Sequence, residues 1–260
     1  MANITYQTGN IAHYFAHNRI RWDQFYPSER AVIGELSPGA NSRVLDIGCG
    51  CGGLGLALRE EFGVCDYTGV EINPDAASAG QSLNTSSRIL QGDILDLRAG
   101  ALRGESFDFV FSLSCVDWNV EFSAMIDAAW ERVAPGGCFI ATFRLTDGEG
   151  CRDMQRSYQY INYEGRKEGE LAAYVVLNAG ELTRLFMDFD PAEIRAFGYW
   201  GAPSSTAITP YARLCFVACA LRKRRVGDVD PLSLRLDVPE EIRQQVEAGA
   251  RDTTRTGSAG

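Results

Sequence analysis

The sequence predicts an α/β protein built around a doubly wound, mostly parallel sheet. Apolar segments of strand length alternate with amphipathic helical segments between residues 44 and 144, and this alternation is typical of parallel strands joined by right-handed crossovers. The first segment, Val44–Ile47, leads into a turn with glycines at positions 48, 50, 52, 53 and 55. The second, Tyr67–Ile72, carries an acid near its end, Glu71, about twenty residues beyond the glycines, which is the spacing of a nucleotide-binding sheet.

Periodicity and the positions of proline and glycine predict the other elements. Expected helices cover Ile11–Trp22, Ser28–Leu36, Leu54–Phe62, Pro74–Leu83, Val120–Val133 and Ala179–Phe189. Further expected strands cover Ser87–Leu90, Phe107–Leu113, Cys138–Arg144, Ile194–Trp200 and Leu214–Leu221. Between residues 145 and 193 the alternation breaks, and we expect a helix over Cys151–Tyr158 followed by two strands, Tyr158–Tyr163 and Ala172–Leu177.

One domain is expected over residues 1–225. Residues 1–40 form a helical cap within it, and residues 145–193 form an α/β insertion between the fifth and sixth strands. Residues 226–260 are polar, and we expect a partly disordered C-terminal tail there, in which Pro239–Val246 has the pattern of a short docking helix.

Composition and charge exclude several classes of function. The 260 residues are 45% hydrophobic and 23% charged, which is ordinary for a globular protein. The net charge of −9 argues against a nucleic-acid partner, because phosphate binding needs a basic face. No apolar stretch is long enough to span a membrane, and the N-terminus lacks the pattern of a signal peptide. With eight cysteines but no secretion signal, we expect reduced thiols and a cytoplasmic location.

The glycine turn and the acids that follow it predict a nucleotide site. Gly48, Gly50 and Gly53 form a Gly-x-Gly-x-x-Gly pattern, which is weak alone because glycine turns also follow strands that bind nothing. Glu71 is placed to accept hydrogen bonds from ribose hydroxyls. Further along, three residues have the chemistry to hold a purine: Ile72 and Ile94 to cover its faces, and Asp93 to accept a hydrogen bond from an exocyclic amine.

Taken together, these motifs resemble those of class I S-adenosylmethionine-dependent methyltransferases. The matching segments are Val44–Gly52, Gly69–Pro74, Gly92–Ile94, Phe107–Ser112 and Pro135–Gly137. The resemblance is strong over about residues 40–144 and weaker over 194–222. It implies a Rossmann-like sheet of seven strands whose last strand, Leu214–Leu221, lies antiparallel beside the fifth. It also implies that the N-terminal cap covers the cofactor and that residues 145–193 line the substrate pocket.

The resemblance also implies roles for single residues around S-adenosylmethionine. Asp46 would order the ammonium of the methionine end, and Gly48, Gly50 and Gly52 would let the backbone run beside the cofactor. Ser112 would present its backbone carbonyl to the methionine amine. Tyr6, Tyr14 or Arg19 would close over the site.

The acceptor of the methyl group is less constrained by the sequence. A hydroxyl acceptor benefits from a general base, and the candidates are Asp117, just past the fourth strand, and His13 or His17 in the cap. Asp117 has an alternative explanation as an acid before a helix N-terminus, and the histidine pair as ordinary polar side chains. We expect no metal and a small-molecule acceptor, such as a sugar or a secondary metabolite, methylated on oxygen.

Two rival functions stay open at this stage. An NAD-dependent oxidoreductase shares the glycine pattern and Glu71, although it leaves Asp46 unexplained. A non-catalytic S-adenosylmethionine-binding module would keep the glycine turn and lose only the base. Assembly as a homodimer is also open.

Overall fold

The computed structural model describes residues 11–97, 100–162 and 165–256. Its helices are α1 (Ile11–His17), α2 (Pro27–Leu36), α3 (Gly53–Phe62), α4 (Pro74–Leu83), α5 (Ile94–Leu97), α6 (Phe122–Arg132), α7 (Ala179–Met187) and α8 (Glu240–Thr256). Its strands are β1 (Arg43–Ile47), β2 (Asp66–Glu71), β3 (Arg88–Gln91), β4 (Phe107–Ser112), β5 (Val133–Thr146), β6 (Tyr158–Ile161), β7 (Glu170–Ala173), β8 (Leu177–Asn178), β9 (Glu193–Gly201), β10 (Ala207–Ile208), β11 (Leu214–Arg222) and β12 (Ser233–Asp237).

The central sheet has the order β12-β9-β11-β5-β4-β1-β2-β3, with the short β8 paired to β5. β1 to β5 are parallel, whereas β11 runs antiparallel to both of its neighbours, β5 and β9. The predicted fold class and the antiparallel strand beside the fifth strand are therefore confirmed. The predicted number of seven strands is wrong, because β8 and β12 bring the described sheet to nine.

Helices cover both faces of this sheet. On one face, apolar side chains of α2, α3 and α4, such as Ile33, Leu58 and Ala77, pack against the strands. On the other face, α6, α7 and α8 contribute buried residues such as Ile126 and Phe186. Strand order reverses between β1 and β4, and ligands in doubly wound sheets bind at the carboxyl ends of the strands at such a point.

The predicted C-terminal tail is wrong over most of its length. Residues 233–237 form β12, which pairs in parallel with β9 at the edge of the sheet. Ile242, Val246 and Ala250 are buried on one side of α8, where their spacing of four residues forms an apolar stripe. Ile242 and Val246 belong to the same core as the buried residues of α7. The short helix predicted over Pro239–Val246 is present, but it is longer than predicted, because α8 runs from Glu240 to Thr256.

The insertion after β5 forms a second, small sheet. β6 and β7 are antiparallel, and β10 joins β6 from the loop after β9. β6 lies within the first predicted strand, whereas β7 begins before the second, Ala172–Leu177, and shares only residues 172 and 173 with it. The helix predicted over Cys151–Tyr158 is absent, and this stretch consists of turns in which Cys151 forms an isolated bridge with Val176.

The N-terminal cap is helical as predicted from residue 11 onward, but it is divided. α1 ends at His17, a short 3-10 turn covers Trp22–Gln24, and α2 follows. Tyr6, one of the predicted lid residues, lies outside the described residues. None of the described helices combines the length and the apolar character that crossing a membrane requires.

Candidate functional site

A cavity of about 500 Å³ opens at the carboxyl ends of β1, β2 and β4. This volume falls within the range of small-molecule sites, roughly 300–1,000 Å³. Four regions of the chain line it: the cap, the glycine turn with the ends of β2 and β3, the segment after β4, and the insertion with the loop after β9. The residues that line it include Tyr14, Arg19, Tyr26, Asp46, Gly48, Gly50, Gly53, Glu71, Ile72, Asp93, Ile94, Leu113, Ser114, Cys115, Trp118, Gln159, Tyr160, Ser204 and Thr206.

The glycine turn wraps closely around the end of β2. The backbone N–H groups of Gly48 and Cys49 both donate to the carbonyl oxygen of Val70, at 2.8 and 3.0 Å. Gly48 has φ +75°, and a Cβ there would collide with Cys115 Sγ. Gly50 and Gly52 also have positive φ, but only Gly48 and Gly50 line the cavity. The turn therefore needs glycine both for its backbone conformation and for its close packing.

Glu71 lies at the centre of the nucleotide half of the cavity. Its Oε2 accepts a hydrogen bond from the N–H of Gly50, and its Oε1 accepts one from the N–H of Asn73, both at 2.8 Å. Burial raises the pKa of Glu71, while these backbone donors lower it. Each carboxylate oxygen has a second lone pair, so Glu71 holds the turn in place and still has the capacity to accept hydrogen bonds from two ribose hydroxyls.

Asp46, at the end of β1, is buried beneath the glycine turn. Burial raises its pKa to about 7, although the hydroxyl of Tyr67 donates to Oδ2 at 2.6 Å and favours the ionised form. The sequence reasoning missed Tyr67. In the register of the parallel strands, Tyr67 lies beside Val44 and Asp46 lies beside Gly69. The sequence alone does not give this register, so no sequence signal joined Tyr67 to Asp46.

Three residues line the expected adenine end. Ile72 follows β2, and Asp93 and Ile94 follow β3, so all three reach the cavity from neighbouring strand ends. Oδ1 of Asp93 accepts a hydrogen bond from the N–H of Leu95 at 2.9 Å, which caps the short helix α5. The sequence placed these residues correctly at the cavity, and their contacts with an adenine ring stay a prediction.

At the end of β4 the lining differs from the expected residue. Ser112 is buried and does not line the cavity, whereas Leu113, Ser114 and Cys115 do. Ser114 has φ +50°, and its N–H donates to the hydroxyl of Thr142 at 2.6 Å. The chain bends at Ser114. The residues that line the cavity therefore follow the predicted residue, Ser112, by one to three positions.

The three candidate bases do not reach the cavity. His13 and His17 are exposed, and Nδ1 of His17 forms a hydrogen bond with the carbonyl oxygen of His13 at 2.8 Å. Asp117 is buried and its Oδ2 pairs with Nη2 of Arg144 at 3.2 Å. None of the three is among the lining residues. Their assignment as catalytic bases thus stays a prediction that this geometry does not favour.

The cap contributes a partly buried ion pair that the sequence reasoning did not identify. Nη2 of Arg19 donates to Oε1 of Glu29 at 2.9 Å, and the other oxygen of Glu29 accepts from the N–H of Tyr26 at 2.8 Å. The Arg19 guanidinium also lies 4.6 Å from the ring centre of Phe25. A Cβ on Gly53 would collide with the carbonyl oxygen of Arg19, so the cap packs directly on the glycine turn.

A second half of the cavity extends away from the nucleotide residues. Trp118, Gln159, Tyr160, Ser204 and Thr206 line it. These residues come from three parts of the chain: the segment after β4, strand β6 and the loop after β9. Aromatic rings and uncharged polar groups dominate this half, which suits a small acceptor held by stacking and a few hydrogen bonds.

The whole lining fits a nucleoside with a charged amino-acid end. A buried carboxylate with spare lone pairs, Glu71, suits the ribose. A second buried acid, Asp46, lies under the turn where an ammonium would gain from its charge. The backbone approach at Gly48 and Gly50 leaves no Cβ in the way.

Comparison with known proteins points to methyltransferases, whose cofactor is a nucleoside of this kind. Residues 44–137 match the family described as the methyltransferase domain. The malonyl-[acyl-carrier protein] O-methyltransferase of Enterobacter lignolyticus (strain SCF1) is 26% identical over 58% of this chain and 55% of its own length. The 18S rRNA (guanine(1575)-N(7))-methyltransferase of Saccharomyces cerevisiae is 29% identical over 62% of this chain and 62% of its own length. The chain thus matches less than two thirds of each of these relatives.

A solved structure supports the fold. The Burkholderia thailandensis 1,6-didemethyltoxoflavin-N1-methyltransferase, solved with bound 1,6-didemethyltoxoflavin and S-adenosylhomocysteine, superposes with a TM-score of 0.50. The alignment covers 79% of this chain and 78% of that one, at 21% sequence identity. At this identity the likeness shows the shared fold alone.

Proposed function

Because the chain belongs to the class I S-adenosylmethionine-dependent methyltransferases, we propose that it transfers a methyl group from S-adenosylmethionine to a hydroxyl of a small molecule. The class and the cofactor are those predicted from the sequence. The identity of the acceptor, the methylated atom and the residue roles are parts of the proposal.

The observation that carries the proposal is the position of Glu71. This buried carboxylate faces the cavity from the end of β2 while accepting hydrogen bonds from the N–H groups of Gly50 and Asn73. It is therefore fixed in one orientation before any ligand arrives. Such preorganisation lowers the entropic cost of binding, and a ribose held by Glu71 would lie across the ends of β1 and β2.

The residues of this chain contribute mainly binding and alignment. When bound, S-adenosylmethionine supplies a methyl group already activated on its sulfonium. Glu71 would orient the ribose and Asp46 would attract the ammonium, so this chain would hold the cofactor by both its nucleoside and its amino-acid end. The cap, through Arg19 and Tyr26, covers the cavity and excludes water. Alignment of this kind is worth on the order of 7–11 kcal/mol of barrier at best.

Two features support a small acceptor. The acceptor half of the cavity is enclosed between the cap and the small sheet, and its lining near Gln159 and Ser204 is polar but uncharged. Secondly, the net charge is −9, which disfavours the phosphate contacts on which nucleic-acid affinity depends. Sugars and secondary metabolites with a free hydroxyl meet both conditions.

RNA is the second candidate acceptor, because one relative is named as an 18S rRNA guanine-N7 methyltransferase. On that alternative the activity would require a partner or a local basic surface to offset the net negative charge. The absence of a nucleic-acid partner, the homodimer and the cytoplasmic location stay predictions.

The test is a transfer assay with labelled S-adenosylmethionine. The protein is incubated with a metabolite extract in one arm and with total RNA in the other, and products are examined for label and for a mass gain of one CH₂ unit. We expect label in a small-molecule fraction and a product that is stable as an ether. Label confined to RNA would replace the proposed acceptor class, and label in neither arm would support a non-catalytic binding module.

A further inference from the structure

Trp118 lies between the acceptor half of the cavity and a buried cation. Its ring lines the cavity, and the guanidinium carbon of Arg144 lies 4.3 Å from its ring centre on one face. The ring of Tyr174 meets Trp118 edge-on, with centroids 6.1 Å apart and an interplanar angle of 80°. Arg144 and Tyr174 are both buried and outside the lining. Arg144 therefore occupies one face of the indole, and a ligand in the cavity would stack on the opposite face.

Arg144 is itself held in place by hydrogen bonds. Its Nη1 donates to the backbone carbonyls of Asp117 and Val175, at 2.9 and 3.3 Å, and its Nη2 pairs with Oδ2 of Asp117 at 3.2 Å. These contacts join the segment after β4 to the insertion after β5. Trp118 is consequently held in one orientation, because Arg144, which packs on one face of its ring, is fixed before a ligand binds.

Two polar groups in the lining are available to a ligand. Within residues 11–97, 100–162 and 165–256, nothing accepts a hydrogen bond from the indole N–H of Trp118 or pairs with the side-chain amide of Gln159. A donor on Trp118 and a donor–acceptor pair on Gln159 match the edge of a ring that carries hydroxyl, carbonyl or ring-nitrogen groups.

From these observations we propose that the methyl acceptor is a planar aromatic or heteroaromatic compound, neutral or anionic, that stacks on Trp118. The inference rests on the proposed function and narrows its substrate class. Offset stacking on a fixed aromatic ring favours a flat partner. The guanidinium behind the indole draws on the same π electrons that a ligand cation would use, so quaternary ammonium acceptors are disfavoured. Sugars, which lack a flat face, gain less from this surface.

The test measures binding of defined probes with S-adenosylhomocysteine present at saturation. The planar probes are umbelliferone, catechol and hypoxanthine, and the comparison probes are methyl glucoside and choline. Saturation-transfer NMR and calorimetry report binding to the 260-residue protein. We expect at least one planar probe to bind and neither comparison probe to do so.

Two variants separate stacking from a general loss of structure. Trp118→Ala is expected to weaken the planar probe by about tenfold, whereas Trp118→Phe keeps a flat ring and stays within about threefold. Trp200→Ala is the matched control, because Trp200 also lies under an arginine, Arg213 at 4.2 Å, but does not line the cavity. The affinity for S-adenosylhomocysteine should be unchanged in all three.

The outcomes separate the inference from the function on which it rests. Binding of methyl glucoside or choline in preference to every planar probe would overturn the inference, as would the failure of all planar probes while S-adenosylhomocysteine binds. Equal loss of the planar probe in Trp118→Ala and Trp200→Ala would also overturn it. Failure of S-adenosylhomocysteine itself to bind would instead refute the proposed function.

Discussion

Oε2 of Glu71 lies 2.8 Å from the backbone nitrogen of Gly50. This hydrogen bond joins the acid that ends β2 to the glycine turn that follows β1. The glycine turn and the end of β2 therefore hold each other in position. Glu71 also lines the cavity, and each of its oxygens has a lone pair beyond the one that accepts from the backbone.

Substitution of Glu71 should therefore weaken cofactor binding without unfolding the protein. Glu71→Gln replaces a charged acceptor by a neutral amide, and hydrogen bonds to charged groups contribute roughly 1.5–3 kcal/mol. We expect a rise of about tenfold to a hundredfold in the Kd for S-adenosylhomocysteine, measured by calorimetry. Glu61→Gln, on the exposed side of α3, is the control. Unchanged affinity in Glu71→Gln would remove Glu71 from the site.

Asp46 should make cofactor affinity depend on pH. Burial raises its pKa to about 7 in the free protein, and the ammonium of the ligand favours the ionised form. Between about pH 5 and pH 7 the affinity should accordingly rise by up to about tenfold per unit, and above pH 7 it should level off. Titrations of S-adenosylhomocysteine across this range measure the effect.

Two variants identify the titrating group. Asp46→Asn should flatten the rise below pH 7. Tyr67→Phe removes the hydroxyl that donates to Oδ2 and favours the carboxylate, so the midpoint should move to higher pH. A pH profile that Asp46→Asn leaves unchanged would mean that another group titrates.

The ion pair between Arg144 and Asp117 should behave as a buried structural contact. Both side chains are under 10% exposed, and removing one partner leaves the other charged and unpaired. Arg144→Leu is expected to lower the free energy of unfolding by about 3–5 kcal/mol, measured by urea denaturation. Adding Asp117→Asn to this variant should restore part of the loss.

The matched control for that prediction is Arg213→Leu. Arg213 is half exposed and lies 3.6 and 3.5 Å from Asp147 and Glu241, and exposed pairs contribute about 0–1 kcal/mol. Losses of equal size in the Arg144 and Arg213 variants would contradict the structural role given to the buried pair.

The C-terminal helix should contribute to stability in the manner of a core element. Ile242 is fully buried between α8 and the sheet, so Ile242→Ala should lower the free energy of unfolding by about 2–5 kcal/mol. Val229, which is 91% exposed, provides the control, because its change to alanine should have an effect within about 0.5 kcal/mol. If Ile242→Ala left the free energy of unfolding unchanged, α8 would not be part of the stable core and residues 226–260 would behave as a tail.

The nucleotide half of the site was predictable because its chemistry follows the strand ends directly. Glu71 and Asp93 lie at or just beyond β2 and β3, and parallel strands bring such positions to one edge of the sheet. Helix α4 was predicted to the residue, since Asn73 caps it by accepting from the N–H of Ala76 and Pro74 occupies its first position.

The acceptor half was not predictable in the same way. The contact that fixes Trp118 in this half joins Arg144 to Asp117, which are 27 positions apart. In the sequence, both residues are simply polar residues near the ends of strands, and nothing there indicates that they pair. The position of Asp117 after β4 therefore suggested a catalytic base, although its side chain pairs with Arg144 instead. Only tertiary packing decides between those two directions.

The edge of the sheet escaped prediction for a different reason. Leu234 and Leu236 alternate with polar residues over five positions, and both are only partly buried. So short a pattern, within a polar segment, is also typical of a loop. The strand forms because β9 offers an unpaired edge, which is a property of the assembled sheet.

Calorimetric titration of the wild-type protein with S-adenosylhomocysteine and, separately, with NAD tests the central claim most directly. Both ligands contain an adenosine whose ribose Glu71 would hold, so the comparison depends on the second half of each ligand. The account predicts saturable binding of S-adenosylhomocysteine at one site per chain and no saturable binding of NAD. Saturable binding of NAD without binding of S-adenosylhomocysteine would contradict it.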